Sequence, residues 1–105
     1  MVYVVQESVG KNILPATEYG NLEVLLPPGQ IVLSPGPTLA RLRKNLKNFS
    51  DDDYLLMIGD PIAIALAAMV ASDLNNGRVK FLKWDNHGKK YFPISTNIFG
   101  YKEGE

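Results

Sequence analysis

The 105-residue chain predicts one small α/β domain: a mixed, mostly parallel sheet with two helices and a C-terminal β-hairpin. Three observations carry that reading. The middle of the chain alternates strand, helix, strand, helix, strand, which closes as parallel strands joined by right-handed crossovers. Residues 54–58 (Tyr-Leu-Leu-Met-Ile) are apolar without alternation, as in a strand buried on both faces at the centre of a parallel sheet. Further on, two aromatic-rich runs flank Asp85-Asn86-His87-Gly88, a hairpin signal.

The elements follow in order. Residues 2–6 (Val-Tyr-Val-Val-Gln) combine β-branched and aromatic types and form a first strand. Residues 7–21 contain Gly10, Pro15 and Gly20 and read as a long loop, one that is either functional or hides a short element. Leu22–Leu26 is a second strand, Pro27-Pro28-Gly29 turns the chain, and Gln30–Leu33 is a short third strand. Pro35-Gly36-Pro37 opens a helix over residues 38–49, started by Pro37 or Thr38, in which Leu39, Leu42, Leu46 and Phe49 share one face. Ser50 to Asp53 is a polar connector. After the apolar strand at 54–58, Gly59 ends it, Asp60 is a natural N-cap and Pro61 fits the first helical position. The second helix spans residues 61–75 and stops at Asn76-Gly77. The hairpin pairs residues 78–84 with 89–94, and Pro93 marks the returning strand as an edge. The domain core is thus residues 1–94, with a tail at 95–105 whose Ile98, Phe99 and Tyr101 need something to dock on.

The second helix is apolar nearly all round. Ile62, Leu66, Met69 and Val70 form a bulky stripe, with Ala63, Ala67, Ala71 and Leu74 beside it. Ala65, Ala68 and Ser72 form a narrow strip of small residues. Such a helix is buried on more than one side. The expectation is that either the tail or a second copy of the chain covers the alanine strip.

Composition excludes several function classes. Eleven basic and eleven acidic residues give a formal net charge of zero, so no wholesale cationic coat awaits nucleic acid. The chain has no cysteine, which removes disulfides, thiolate nucleophiles and cysteine-ligated metals. No basic segment precedes an apolar run at the N-terminus, and the longest uninterrupted apolar stretch, 62–71, is half of what a bilayer span needs. These features read as a protein kept in a reducing compartment and not inserted in a membrane.

Four places merit attention, each beside a plainer account. At Gly59 and Asp60, a strand end meets a helix N-terminus, where α/β sheets collect anionic ligands. No Walker or dinucleotide fingerprint is present, and the Asp60 carboxylate competes with phosphate for the same amides; a plain Asp-Pro cap explains the residues equally. Arg41, Arg43, Lys44 and Lys47 put four cations on the first helix, either a phosphate-binding patch or a solvated outer face. In the hairpin, Arg78, Lys80 and Trp84 share one face of a strand, and Lys89 and Lys90 follow, an alternation suited to an acidic partner or to base stacking. The plain account makes Trp84 core and the lysines rim. His87 with Asp85 is too few ligands for a structural metal, and consecutive Asp51, Asp52 and Asp53 point in different directions. The sequence holds no nucleophile–base–acid set, so it assigns no catalytic residue, no cofactor and no metal site.

The stretch Tyr54-Leu-Leu-Met-Ile-Gly-Asp-Pro61, the alanine-rich helix after it, and Leu82-Lys-Trp-Asp85 before Tyr91 resemble small proteins of no established activity encoded by tailed bacteriophages, marine ones especially. Leu25-Leu-Pro-Pro-Gly29 and Ser34-Pro-Gly-Pro-Thr38 fit the same resemblance. It covers most of the chain and implies a phage origin and action in the host cytoplasm; it carries no catalytic positions. The reading that results is a non-enzymatic accessory protein that contacts a host or phage macromolecule through the hairpin, with a protein partner favoured over nucleic acid. A nucleotide- or phosphate-binding domain at Gly59–Asp60 is the alternative, and a nucleic-acid binder the third.

Overall fold

A computed structural model describes residues 1–8, 10–29 and 35–100. Five strands form one sheet in the order β2-β1-β3-β4-β5. They are β1 (Val2–Gln6), β2 (Leu22–Leu26), β3 (Tyr54–Leu56), β4 (Arg78–Asp85) and β5 (Lys90–Asn97). β1 pairs in parallel with both β2 and β3, β3 in parallel with β4, and β4 antiparallel with β5. The expected fold class is therefore present, with α1 (Gly36–Asn45) and α2 (Pro61–Leu74) as its two helices. The expected strand at 30–33 lies outside the described residues.

Alternation along the strands divides the core into two layers. Tyr3 and Val5 of β1, Leu55 of β3 and Val79 of β4 pack on the helix side with Leu42, Leu46, Phe49, Ala63, Ala67, Val70 and Ala71. Val2, Val4, Leu56, Leu82 and Tyr91 face the other way, under Ala16, Ile13 and Tyr19. That second layer is thin. Its cover is the element hidden in the long loop, a 3-10 turn at Leu14–Tyr19.

Several boundaries differ from the sequence reading for local reasons. α1 opens at Gly36 with Pro37 in its first turn and ends at Asn45, whose side chain donates to the Leu25 carbonyl (2.9 Å); Leu46 and Phe49 reach the core from the turn that follows. β3 stops at Leu56, because the Ile58 amide turns back to the Leu56 carbonyl (2.9 Å). Lys89 lies in the hairpin turn at φ 55°, and β5 continues to Asn97, three residues past the strand end expected at 94. The Asp60 side chain caps α2 as expected, accepting from the Ile62 (2.9 Å) and Ala63 (3.3 Å) amides.

The described part of the tail docks at the α2–β4 turn. Ile98 donates to the Gly77 carbonyl (2.9 Å), and Ile98 and Phe99 lie where a Cβ on Gly77 would be, 2.7 Å away. The α2–β4 turn thus needs glycine twice over, since Gly77 has φ +82°. Asp73 on α2 bonds Arg43 on α1 (2.9 Å); at helical spacing it shares the flank of Ile62, Leu66 and Met69, and the Ala65–Ala68–Ser72 strip lies to the side of that flank. Ala65 is exposed, Ala68 and Ser72 are half-buried, and Ile62 and Met69 stay 55% and 64% exposed.

Candidate functional site

The strand order reverses at β1: the chain leaves it leftward to β2 and rightward, past it, to β3. The carboxyl ends of β1 and β3 therefore flank a switch point, where open α/β sheets bind ligands. Here a side chain of the protein fills it. Gln6 at the end of β1 is 4% exposed; its Oε1 accepts from the Asp60 amide (2.7 Å) and its Nε2 donates to the Pro27 (3.0 Å) and Gly29 carbonyls. The amides of Asp60, Ile62 and Ala63 are all taken, and the remaining hollow of about 410 Å³ is lined by Glu7 and Asp60 as well as Lys11. The engaged amides work against an anion at Gly59 and Asp60.

The larger concavity lies one strand over. β4 runs on to Asp85 while its pairing with β3 ends at Leu56↔Leu82, so the hairpin overhangs the sheet. The overhang and the segment Gly10–Asn12 bound a notch of about 870 Å³. Leu56, Ile58 and Leu82 line its floor and Trp84 and Tyr91 form a wall. The two rings meet edge to face at 5.0 Å and 67°, the Trp84 indole N–H donates to Asn86 Oδ1 (2.9 Å), and the Tyr91 carbonyl accepts from the Tyr19 hydroxyl (3.1 Å). Burial pushes the Tyr91 phenol above its ordinary pKa. Lys11 and Lys83 stand at the rim, and among the described residues no carboxylate lines the notch. The volume falls in the range of ligand-binding clefts, roughly 300–1,000 Å³.

The structure scatters the other hairpin candidates. Arg78 sits at the opposite end of β4 from Trp84, about 20 Å away at a strand's rise, and bonds Asp51 (3.0 Å). Lys80 lies 4.3 Å over the Tyr54 ring. Lys89 and Lys90 are exposed at the hairpin tip. On α1, Arg43 is paired with Asp73, while Arg41 and Lys44, and Lys47 in the turn after the helix, are exposed. His87 is exposed in the turn, where its backbone amide donates to Asp85. Among the described residues no group of three or more His, Cys, Asp or Glu could hold a metal ion, and no helix is long and apolar enough to cross a membrane.

A family model described as Phage Pam3 gp32-like protein matches residues 1–98. The chain belongs to that family. It is a family of phage proteins of unknown activity, so the expected phage origin holds. The match runs from β1 past the end of β5, and takes in every described residue of the plugged crevice and of the notch. No curated protein and no solved structure matches the chain.

In this family member, one ion pair gives a pH signature. The Arg78 guanidinium, and then the Asn75 amide, hydrogen-bond the Asp51 carboxylate and hold its pKa below the ordinary aspartate value. A carboxyl group whose folded pKa is depressed stabilises above its unfolded pKa, and that contribution is lost as pH falls through the folded one. Asp51→Asn should therefore melt below the wild type at about pH 6, with the gap closing as the pH falls below the ordinary aspartate value and through the depressed folded one. The gap is small because the pair is exposed to solvent. A melting difference unchanged in acid would show that Asp51 acts through something other than its charge.

Lys11, Lys83, Ile58 and Asn86 are among the notch residues that sequence reasoning missed. The one available signal was the length of the 7–21 loop, which marked it as functional or structured without singling out Lys11.

Proposed function

We propose that the protein is a non-enzymatic phage accessory protein that binds a protein partner, of the host or the phage, through the notch and the hairpin tip. The observation that carries this reading is the notch: a preformed apolar cleft with an aromatic wall and a rim of lysines. Tryptophan and tyrosine anchored in this way dominate protein interfaces. Nucleic acid is less well served. Arg78 and Arg43 are engaged with Asp51 and Asp73, and Lys80 with the Tyr54 ring, which leaves a phosphate backbone few free cations in a row. The absence of cysteine, the exposed position of the single histidine and the filled switch point support a binding role over catalysis.

The test is affinity capture from infected-host lysate with the intact chain and with Lys89→Glu/Lys90→Glu, read by mass spectrometry. A nuclease-resistant protein partner is expected, with recovery reduced about tenfold by the double charge reversal. A partner that disappears with nuclease, or one held equally by the reversed hairpin, overturns the reading.

A further inference from the structure

We propose that the notch takes an extended acidic segment of the partner, with one apolar side chain seated on Leu56, Ile58 and Leu82 and carboxylates on either side meeting Lys11 and Lys83. The proposal rests on the protein-binding reading and specifies its chemistry. Three properties of the cleft lead to it.

The first is charge. The rim carries two lysines, and no carboxylate among the described residues lines the notch, although the whole chain is neutral. A partner of opposite sign is steered to it and a basic one is repelled. The second is shape. β4 continues from Lys83 to Asp85 with no described strand beside it on the β3 side, so main-chain groups there are open to an extended chain. Strand addition uses such an edge for affinity and pockets for alternate side chains for specificity. The third is rigidity. Trp84 is held by the Tyr91 ring and by Asn86, and Tyr91 is itself buried, so the wall stands ready and little ordering cost falls on binding. A purely apolar guest would leave the lysines unused, and a phosphate chain would have nothing to seat on the leucine floor.

Trp84 is the only tryptophan in the chain and is 37% exposed, so its fluorescence reads the site directly. The probes are the amidated pentapeptides Asp-Glu-Leu-Glu-Asp, Asp-Glu-Ser-Glu-Asp and Lys-Arg-Leu-Arg-Lys, with oligothymidylate as a fourth. A saturable change in emission is expected with the first alone, at millimolar concentration or below. Lys11→Glu/Lys83→Glu should weaken it at least tenfold while the circular dichroism spectrum stays that of the wild type; both side chains are exposed, so the fold should survive. No saturable response to the first peptide, an equal response to the basic or serine peptide, or quenching by oligothymidylate instead, overturns the proposal. Loss of the peptide response with a captured protein still dependent on Lys89 and Lys90 would sink this inference and leave the binding reading standing.

Discussion

Gly59→Ala is expected to remove about 2–4 kcal/mol of folding stability, read as a lower urea midpoint at unchanged slope. Gly59 has φ +139°, where a side chain is strained in any surroundings. A Cβ there would also lie 2.6 Å from Gln6 Cβ and 2.8 Å from Gln6 Oε1. The nearer atom is rooted in the central strand, so the clash cannot be relieved by swinging the end of the side chain. Displacing Gln6 breaks its bonds to the Asp60 amide and to the Pro27 and Gly29 carbonyls, and leaves partly buried polar groups unpaired. A domain of this size is stable by about 5–15 kcal/mol, so the loss is a large share of the total. A cost under about 0.5 kcal/mol would show that the crevice can open, and would restore it as a place for a ligand.

The second large effect concerns neighbouring residues that serve different layers. Leu55 and Leu56 are both essentially inaccessible, yet Leu55 packs under the helices and Leu56 under the 3-10 turn. Each truncation to alanine should cost about 2–5 kcal/mol in chemical denaturation. They should part company at the notch. Leu56→Ala removes floor and should abolish the acidic-peptide response at temperatures where the variant is folded, whereas Leu55→Ala should leave it intact. A cost below about 1 kcal/mol for Leu56→Ala would mean that the thin layer packs too loosely to count as core.

What could be read from the sequence was local. The all-apolar run at Tyr54, the Gly-Asp-Pro signal after it and the aromatic runs about the 85–88 turn each announce their element within a few residues, and the parallel order follows from their alternation. The site depended on contacts between distant segments. Gln6 looks like the polar end of a strand; its plugging role needs Gly59 and Asp60, 54 positions on at the second of them. The notch exists because β3 ends two residues before its apolar run does while β4 continues, and hydropathy does not record where hydrogen bonding stops. Arg78 and Trp84 share a strand face in any reading, but only the fold shows Arg78 engaged by Asp51 from the connector before β3. The α1 periodicity through Phe49 was sound as a statement about burial and overlong as a statement about helix, since Leu46 and Phe49 are buried from a turn.

The central place of β1 also has a consequence for synthesis. Of the five strands it is made first, and it needs a neighbour on each side. Val2 can meet Leu22 once about twenty more residues have emerged, but its other partner, Tyr54, comes only about fifty residues on. During that interval a Val-Tyr-Val-Val strand has one bare edge and one uncovered face, the condition in which nascent chains associate wrongly. The late hairpin makes no such demand, because β4 and β5 are joined by a four-residue turn and pair with each other as they appear. The slow, exposed phase in forming this sheet therefore belongs to its centre, and the hairpin at its edge closes fast and locally.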